Sequence, residues 1–305
     1  MGMDGTTARP LNPQVTEASE LAARLPELVI AARRVARSVM QGVHGRRVAG
    51  AGESFWQFRP FVSGEPASRI DWRRSARGSQ AFVREREWEA AQTLWIWIDR
   101  SASMRFGSKL AEGSKLDRAI VLALALAELA VRGGERVGLV GLSRPIASRD
   151  VVERFAEILA AAEKTEASAL PPPASLAARS RLVLIGDFLS PLEEIESAFD
   201  GLFADGVAGH LVAIADPIEE TFPFTGHIEF FERGAATRLR APRAEIWRER
   251  YLRALAEHRD ALQILATRRG ADLVLHRTDA SAAEVLLALH ARLTEPAVAG
   301  ALRSA

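Results

Sequence analysis

The chain has 305 residues, enough for one large domain or two small ones. Hydrophobic residues make up 48%, which allows a sizeable core and argues against global disorder. A formal net charge of +1 speaks against a polyanion-binding protein as a whole, and the absence of cysteine excludes disulfides, thiolate metal sites and thiol catalysis.

Residues 1–16 read as a loose, disordered tail without the apolar h-region of a signal peptide. From residue 17, Leu21, Leu25, Leu28, Ala32, Val35 and Val39 keep helical spacing, with Arg24, Arg33, Arg34 and Arg37 on other faces. Such a basic amphipathic helix packs on the domain or lies on a membrane, and packing on the domain is the expectation. Residues 42–52 are glycine-rich and basic, hence a loop. Residues 53–79, "ESFWQFRPFVSGEPASRIDWRRSARGS", mix aromatics, arginines and acids.

Residues 80–88 and 94–98 read as strands, and strands then alternate with helices. Residues 115–131 form a helix apolar on most faces; its run "AIVLALALAELAV" carries Glu128 and is too short to span a bilayer. A strand follows at 136–142, a short return strand at 145–148 and a helix at 150–162. Residues 163–180 contain "PPP" and form an irregular loop. Next come a strand at 181–186, a helix at 192–203, a strand at 210–215 and a hairpin at 227–240 turning near Gly234. A long helix at 244–269, a strand at 272–276 and a helix at 282–293 close the pattern.

Strands separated by helices imply an α/β fold with a doubly wound, mostly parallel sheet in three layers, preceded by a helical and β extension. The expected organisation is a tail (1–16), a helix with the Arg/Asp/Trp segment (17–90), the α/β domain (91–294) and a second tail (295–305). Such a chain is expected to be cytoplasmic. Ligands of such sheets bind beyond the carboxyl ends of the strands. Asp99 ends "LWIWID" and Asp187 ends "RLVLIGD", so both are candidates for one crevice.

Helix capping is the plain explanation for Asp and Ser after a strand, yet other residues fill that role. Ser114 with Asp117 has capping-box spacing before one helix, and Ser190 with Glu193 has it before another, with Pro191 at the first helical position. "GSKLAEGSK" lacks the spacing of a phosphate loop, and "GAGESF" fails as a dinucleotide motif. A haloacid-dehalogenase-type phosphatase needs an acid where Ser101 stands and another where Pro191 stands. No GxSxG or HExxH occurs.

Asp99, Ser101 and Ser103 therefore stand without a structural task. One carboxylate and two hydroxyls at a strand end form a hard-oxygen site suited to Mg2+, with Mn2+ as an alternative. With so few negative charges, a bound ion keeps an open position for a carboxylate from another protein.

Asp99-x-Ser101-x-Ser103 after an apolar strand, with Asp187 ending a second one, resembles the metal-ion-dependent adhesion site of von Willebrand factor A domains. The resemblance implies that both serines bind the ion and that the acids act directly or through water. It also implies a threonine from the 163–180 loop, where Thr165 and Ser168 are the hydroxyls in the first half. Upstream, Arg59-x-Phe61, Gly64-Glu65, Arg69-Ile70-Asp71-Trp72 and Ala76-Arg77 resemble the signature of a bacterial branch, domain-of-unknown-function family fifty-eight. That branch implies a MoxR-type AAA+ ATPase as partner and chaperone-like or assembly work. The expectation for the signature segment is packing against the α/β domain, with Asp71 paired to an arginine and Trp72 buried as an anchor; the rivals are a partner surface and nucleic acid, which Asp71, Glu85, Glu87 and Glu89 argue against. The expectation is a non-enzymatic interaction protein; the rivals are a metal-dependent phosphoester hydrolase and a scaffold with a degenerate site.

Overall fold

The computed structural model describes residues 13–45, 55–62, 65–76, 78, 80–86, 92–163, 167–203, 207–231 and 238–294. In chain order these form α1 (Pro13–Gly45), β1 (Phe55–Pro60), α2 (Trp72–Ser75), β2 (Phe82–Arg86), β3 (Thr93–Ile98), α3 (Lys115–Arg132), β4 (Arg136–Leu139), α4 (Val151–Ala162), β5 (Arg181–Gly186), α5 (Leu192–Asp200), β6 (Ala208–Ala215), α6 (Pro217–Thr221), β7 (Ile228–Phe231), β8 (Arg238–Ala241), α7 (Arg248–Arg268), β9 (Ala271–Arg277) and α8 (Ala282–Thr294). Chain contacts define two units: Met1–Gly42 with Gln92–Ala305, and Val43–Ala91.

The apolar runs of β3, β5 and β6 have no polar alternation, so both faces of their sheet must be covered. They lie at the centre of a five-stranded parallel sheet, in the order β4-β3-β5-β6-β9. Side chains alternate between its faces. Trp97, Leu182, Leu184, Leu211 and Ala213 pack on α5 and α7 through Ile195, Phe199, Leu262 and Leu265. On the sheet's other side α3 packs with α4 and α8, and all its residues from Ala119 to Ala127 are buried. This is the expected α/β arrangement, a parallel sheet covered by helices on both faces. Helix α1 buries Leu21, Leu25, Ala32, Ala36 and Val39 in the same unit, and Arg24 pairs with Asp117 at 2.5 Å. Its apolar stripe is therefore used on the domain, although the sequence groups this helix with the segment up to residue 90. Among the described residues no helix is long and apolar enough to cross a membrane.

Several local details differ from the sequence reading. β4 ends at Leu139, because Gly141 turns the chain at φ +74°. The return strand reduces to one antiparallel bridge between Val137 and Ile146. Pro191 is the N-cap of α5 rather than its first residue, with an extended backbone and no side-chain capping bond. The long helix opens with a 3-10 turn, Ala244–Trp247, before α7. The hairpin is β7 with β8, in which Phe230 faces Leu239; its turn at Gly234 lies outside the described residues.

In the smaller unit β1 pairs antiparallel with β2. The signature residues hold this unit together. Arg59 forks onto Glu65, at 2.9 and 2.5 Å. Asp71 caps α2 by accepting the Arg74 amide at 2.9 Å, and the Arg74 guanidinium lies over Phe58 and Phe82. Trp72, the first residue of α2, is 66% exposed and so is not a core residue of this unit. The side chain of Arg69 and the whole of Arg77 lie outside the described residues; among the described residues Asp71 meets an arginine through the Arg74 backbone amide rather than a guanidinium.

Candidate metal centre

Neighbouring strands β3 and β5 bring Asp99 and Asp187 together at one end of the sheet. The Asp99 amide donates to Ile185 O at 2.8 Å, continuing the ladder past the strand. Gly186 permits the close approach, since a Cβ there would lie 2.9 Å from the Asp99 Cβ. Asp99 is 1% exposed. Its Oδ1 accepts the Ser101 amide at 2.8 Å, while its Oδ2 is buried without a hydrogen-bond partner. The hydroxyls of Ser101 and Ser103 stand 3.1 Å apart, placed by the 3-10 turn Ala102–Arg105. Burial, then the neighbouring Asp187 charge, push the Asp99 carboxyl up to about 7.

Asp187 is held from several directions. Phe188 adopts a left-handed φ of +50°, which a non-glycine residue tolerates only under firm restraint. Its ring is 2% exposed and packs beside Trp97 and Phe199, and His258 Nε2 donates to its carbonyl at 2.6 Å. The Asp187 carboxylate accepts from Lys115 Nζ at 3.0 Å. The same ammonium reaches Glu219 at 2.7 Å, and the second Glu219 oxygen accepts the Asp216 amide in the capping box of α6. Burial alone would lower the Lys115 pKa, but Asp187 and Glu219 outweigh it and raise it.

The structure thus brings Asp99, Ser101, Ser103 and Asp187 together, as the sequence implies. Thr165 lies outside the described residues. The Ser168 hydroxyl accepts the Leu170 amide at 3.1 Å, a local turn. Lys115 and Glu219 were not singled out by the sequence. One signal existed: a lysine at the first position of a helix opposes the helix dipole and calls for compensating acids.

A divalent ion fits this donor set. Asp99 Oδ2 is a buried acceptor that meets no donor. With all groups ionised, three carboxylates against one ammonium leave two negative charges, which one divalent cation neutralises. Among the described residues no group of three or more His, Cys, Asp or Glu forms a ready metal cage, so an ion here would have to draw on the serine hydroxyls. Lys115 makes any such ion weaker than a cage of acids would.

Residues 57–261 match the family described as "Protein of unknown function DUF58". The chain belongs to the DUF58 family. Relatives include uncharacterised proteins of Mycobacterium tuberculosis and Mycobacterium bovis, each 25% identical over 277 residues, covering 85% of this chain and 86% of theirs. Among solved structures, the conserved hypothetical protein BatB of Bacteroides thetaiotaomicron is 12% identical, with a TM-score of 0.41 over 68% of this chain and all of that one. An aerotolerance-related membrane protein of Bacteroides fragilis is 14% identical, with a TM-score of 0.42 over 68% of this chain and all of that one. The SpRpn10 VWA domain is 12% identical, with a TM-score of 0.33 over 65% of this chain and 94% of that one.

Proposed function

We propose that this DUF58 chain is a cytoplasmic, non-enzymatic protein that docks a carboxylate of another protein on a Mg2+ or Mn2+ ion. Asp99, Ser101 and Ser103 hold the ion, with Asp187 acting directly or through water and Thr165 as a further ligand. The bound ion supplies a positive charge with an open position. The observation that carries this reading is the buried, partnerless Oδ2 of Asp99 at the strand end. Desolvating an acceptor without a partner costs roughly 1–3 kcal/mol, more for a charge, and a cation removes that cost.

The chain's own groups do the positioning. The Ser101 amide orients Asp99, Lys115 fixes Asp187 and Glu219, and the Leu189 amide donates to the other Asp187 oxygen at 3.3 Å. The partner, carried over from the family resemblance, is a MoxR-type AAA+ ATPase. A second reading has its own support: Lys115, bonded to both acids, serves as a permanent internal cation and the domain is a scaffold.

The test is binding of a purified MoxR-type ATPase from the same source, in Mg2+ and in EDTA, to the parent and to Asp99→Ala. Metal docking predicts binding that needs Mg2+ and Asp99. Equal binding in EDTA would favour the scaffold. Magnesium-dependent hydrolysis of p-nitrophenyl phosphate, lost in Asp99→Ala, would overturn both in favour of an enzyme.

A further inference from the structure

Between α6 and α7 the chain inserts the hairpin β7–β8, and an aromatic cup results. Phe222 is 6% exposed and forms the floor, with Tyr251, Phe224 and Phe230 at ring-centre distances of 4.8, 5.1 and 5.9 Å. Trp247 stacks on Phe230 at 6.3 Å. The cup is rigid: Arg248 donates to the Phe222 carbonyl at 2.8 Å, and the Ala244 amide donates to Gly226 at 2.9 Å. It has a volume of about 320 Å³, and its lining includes Phe106 and Leu239, which are 41% and 56% exposed. Concave apolar surface that stays open on a folded domain marks a place for a partner.

Two features say what that partner is. First, the cup adjoins the metal centre. Glu219 lines it and also holds Lys115, and Phe106 on its rim follows Ser103 by three positions in the same loop. Second, the loop that carries Ser103 and Phe106 adds further apolar surface. Leu110 is 58% exposed, while the loop's exposed charges, Lys109 and Glu112, offset one another. The cup therefore asks for an apolar side chain, and the acid is set by the metal centre beside it.

We propose that the cup is the second half of the docking surface: it seats one bulky apolar side chain of an acidic protein segment whose carboxylate lies at the Asp99–Ser101–Ser103 centre. This rests on the metal-docking reading above and adds partner chemistry to it: an Asp or Glu within a few residues of Phe, Trp, Leu or Met. The carboxylate supplies direction, and the apolar side chain supplies most of the affinity that selects among acidic segments.

The test selects phage-displayed random dodecapeptides on the full chain in Mg2+. Fluorescent copies of the winners are then titrated, with the acid changed to its amide or the apolar residue to Ala. Protein variants are Leu239→Glu and Phe106→Ala, both in the exposed part of the lining, each checked by thermal unfolding with and without Mg2+. The expected winners pair an acid with a bulky apolar residue. Changing that residue to Ala, or Leu239→Glu, weakens binding about tenfold or more, while the magnesium stabilisation stays intact. Winners that need an acid and Mg2+ but tolerate Ala and both protein variants overturn the cup while leaving the metal reading standing. Winners weakened by the rim variants but indifferent to EDTA and to the acid overturn the two-point proposal and the metal reading together. Failure to enrich any peptide also overturns the proposal; the magnesium stabilisation then tests the metal reading separately.

Discussion

Replacing Asp99 by Asn is expected to stabilise the metal-free protein. Burial and the Asp187 charge move the Asp99 carboxyl from 3.8 to about 7. Each tenfold step is worth about 1.4 kcal/mol, so holding this group ionised costs the fold about 4 kcal/mol. The folded-state value lies above the unfolded one, so the native protein keeps the proton longer and stability falls as pH rises from about 4 to about 7. Asn keeps an oxygen for the Ser101 amide and carries no charge. In urea unfolding with EDTA, Asp99→Asn gains stability at pH 8, up to about 4 kcal/mol, and little or none near pH 4. The same variant loses the stabilisation that Mg2+ gives the parent. A variant less stable than the parent at pH 8, with its magnesium response retained, would refute the reasoning.

Three further outcomes follow from neighbouring groups. Lys115→Met leaves Asp187 and Glu219 without their cation, so unfolding in EDTA should show a loss of about 3–5 kcal/mol; Mg2+ should then stabilise this variant more than it does the parent. Gly186→Ala forces a Cβ to within 2.9 Å of Asp99; it should cost about 1–3 kcal/mol and abolish the magnesium-dependent shift in melting temperature. His276 is buried, and burial with the nearby Arg118 lowers its pKa from 6.5 to about 4. The unfolded chain therefore takes up its proton first as pH falls below 6.5, and stability declines by roughly 3 kcal/mol by pH 4. The difference in unfolding free energy between parent and His276→Gln, followed across that range, should show this slope.

Much of the fold was legible because buried parallel strands are written as unbroken apolar runs, and "RLVLIG" matches β5 residue for residue. The candidate centre was legible for a related reason: an acid that ends such a run has no place in the core. What stayed hidden depends on distant partners. Lys115 looks like a surface charge beside Ser114, and only the fold reveals that it is buried between Asp187 and Glu219, 72 and 104 positions away. α6 was missed although Asp216-Pro217 with Glu219 has capping-box spacing, because five residues show no period. β1 was missed because "FWQFRP" has no clean alternation and ends in proline. Trp72 reads as a buried anchor of its segment, yet it takes no part in the core of its own small unit, where it is 66% exposed.

The central claim is that Asp99, Ser101 and Ser103 bind a divalent cation. Isothermal titration of Mg2+ into the metal-free full chain tests it most directly, with the Ser101→Ala/Ser103→Ala double variant alongside. A saturable one-site isotherm is expected for the parent and none for the variant. At about 100 times the dissociation constant, the parent should also gain roughly 2.7 kcal/mol of stability. Absence of binding at millimolar Mg2+, or equal binding by the double variant, would contradict the claim.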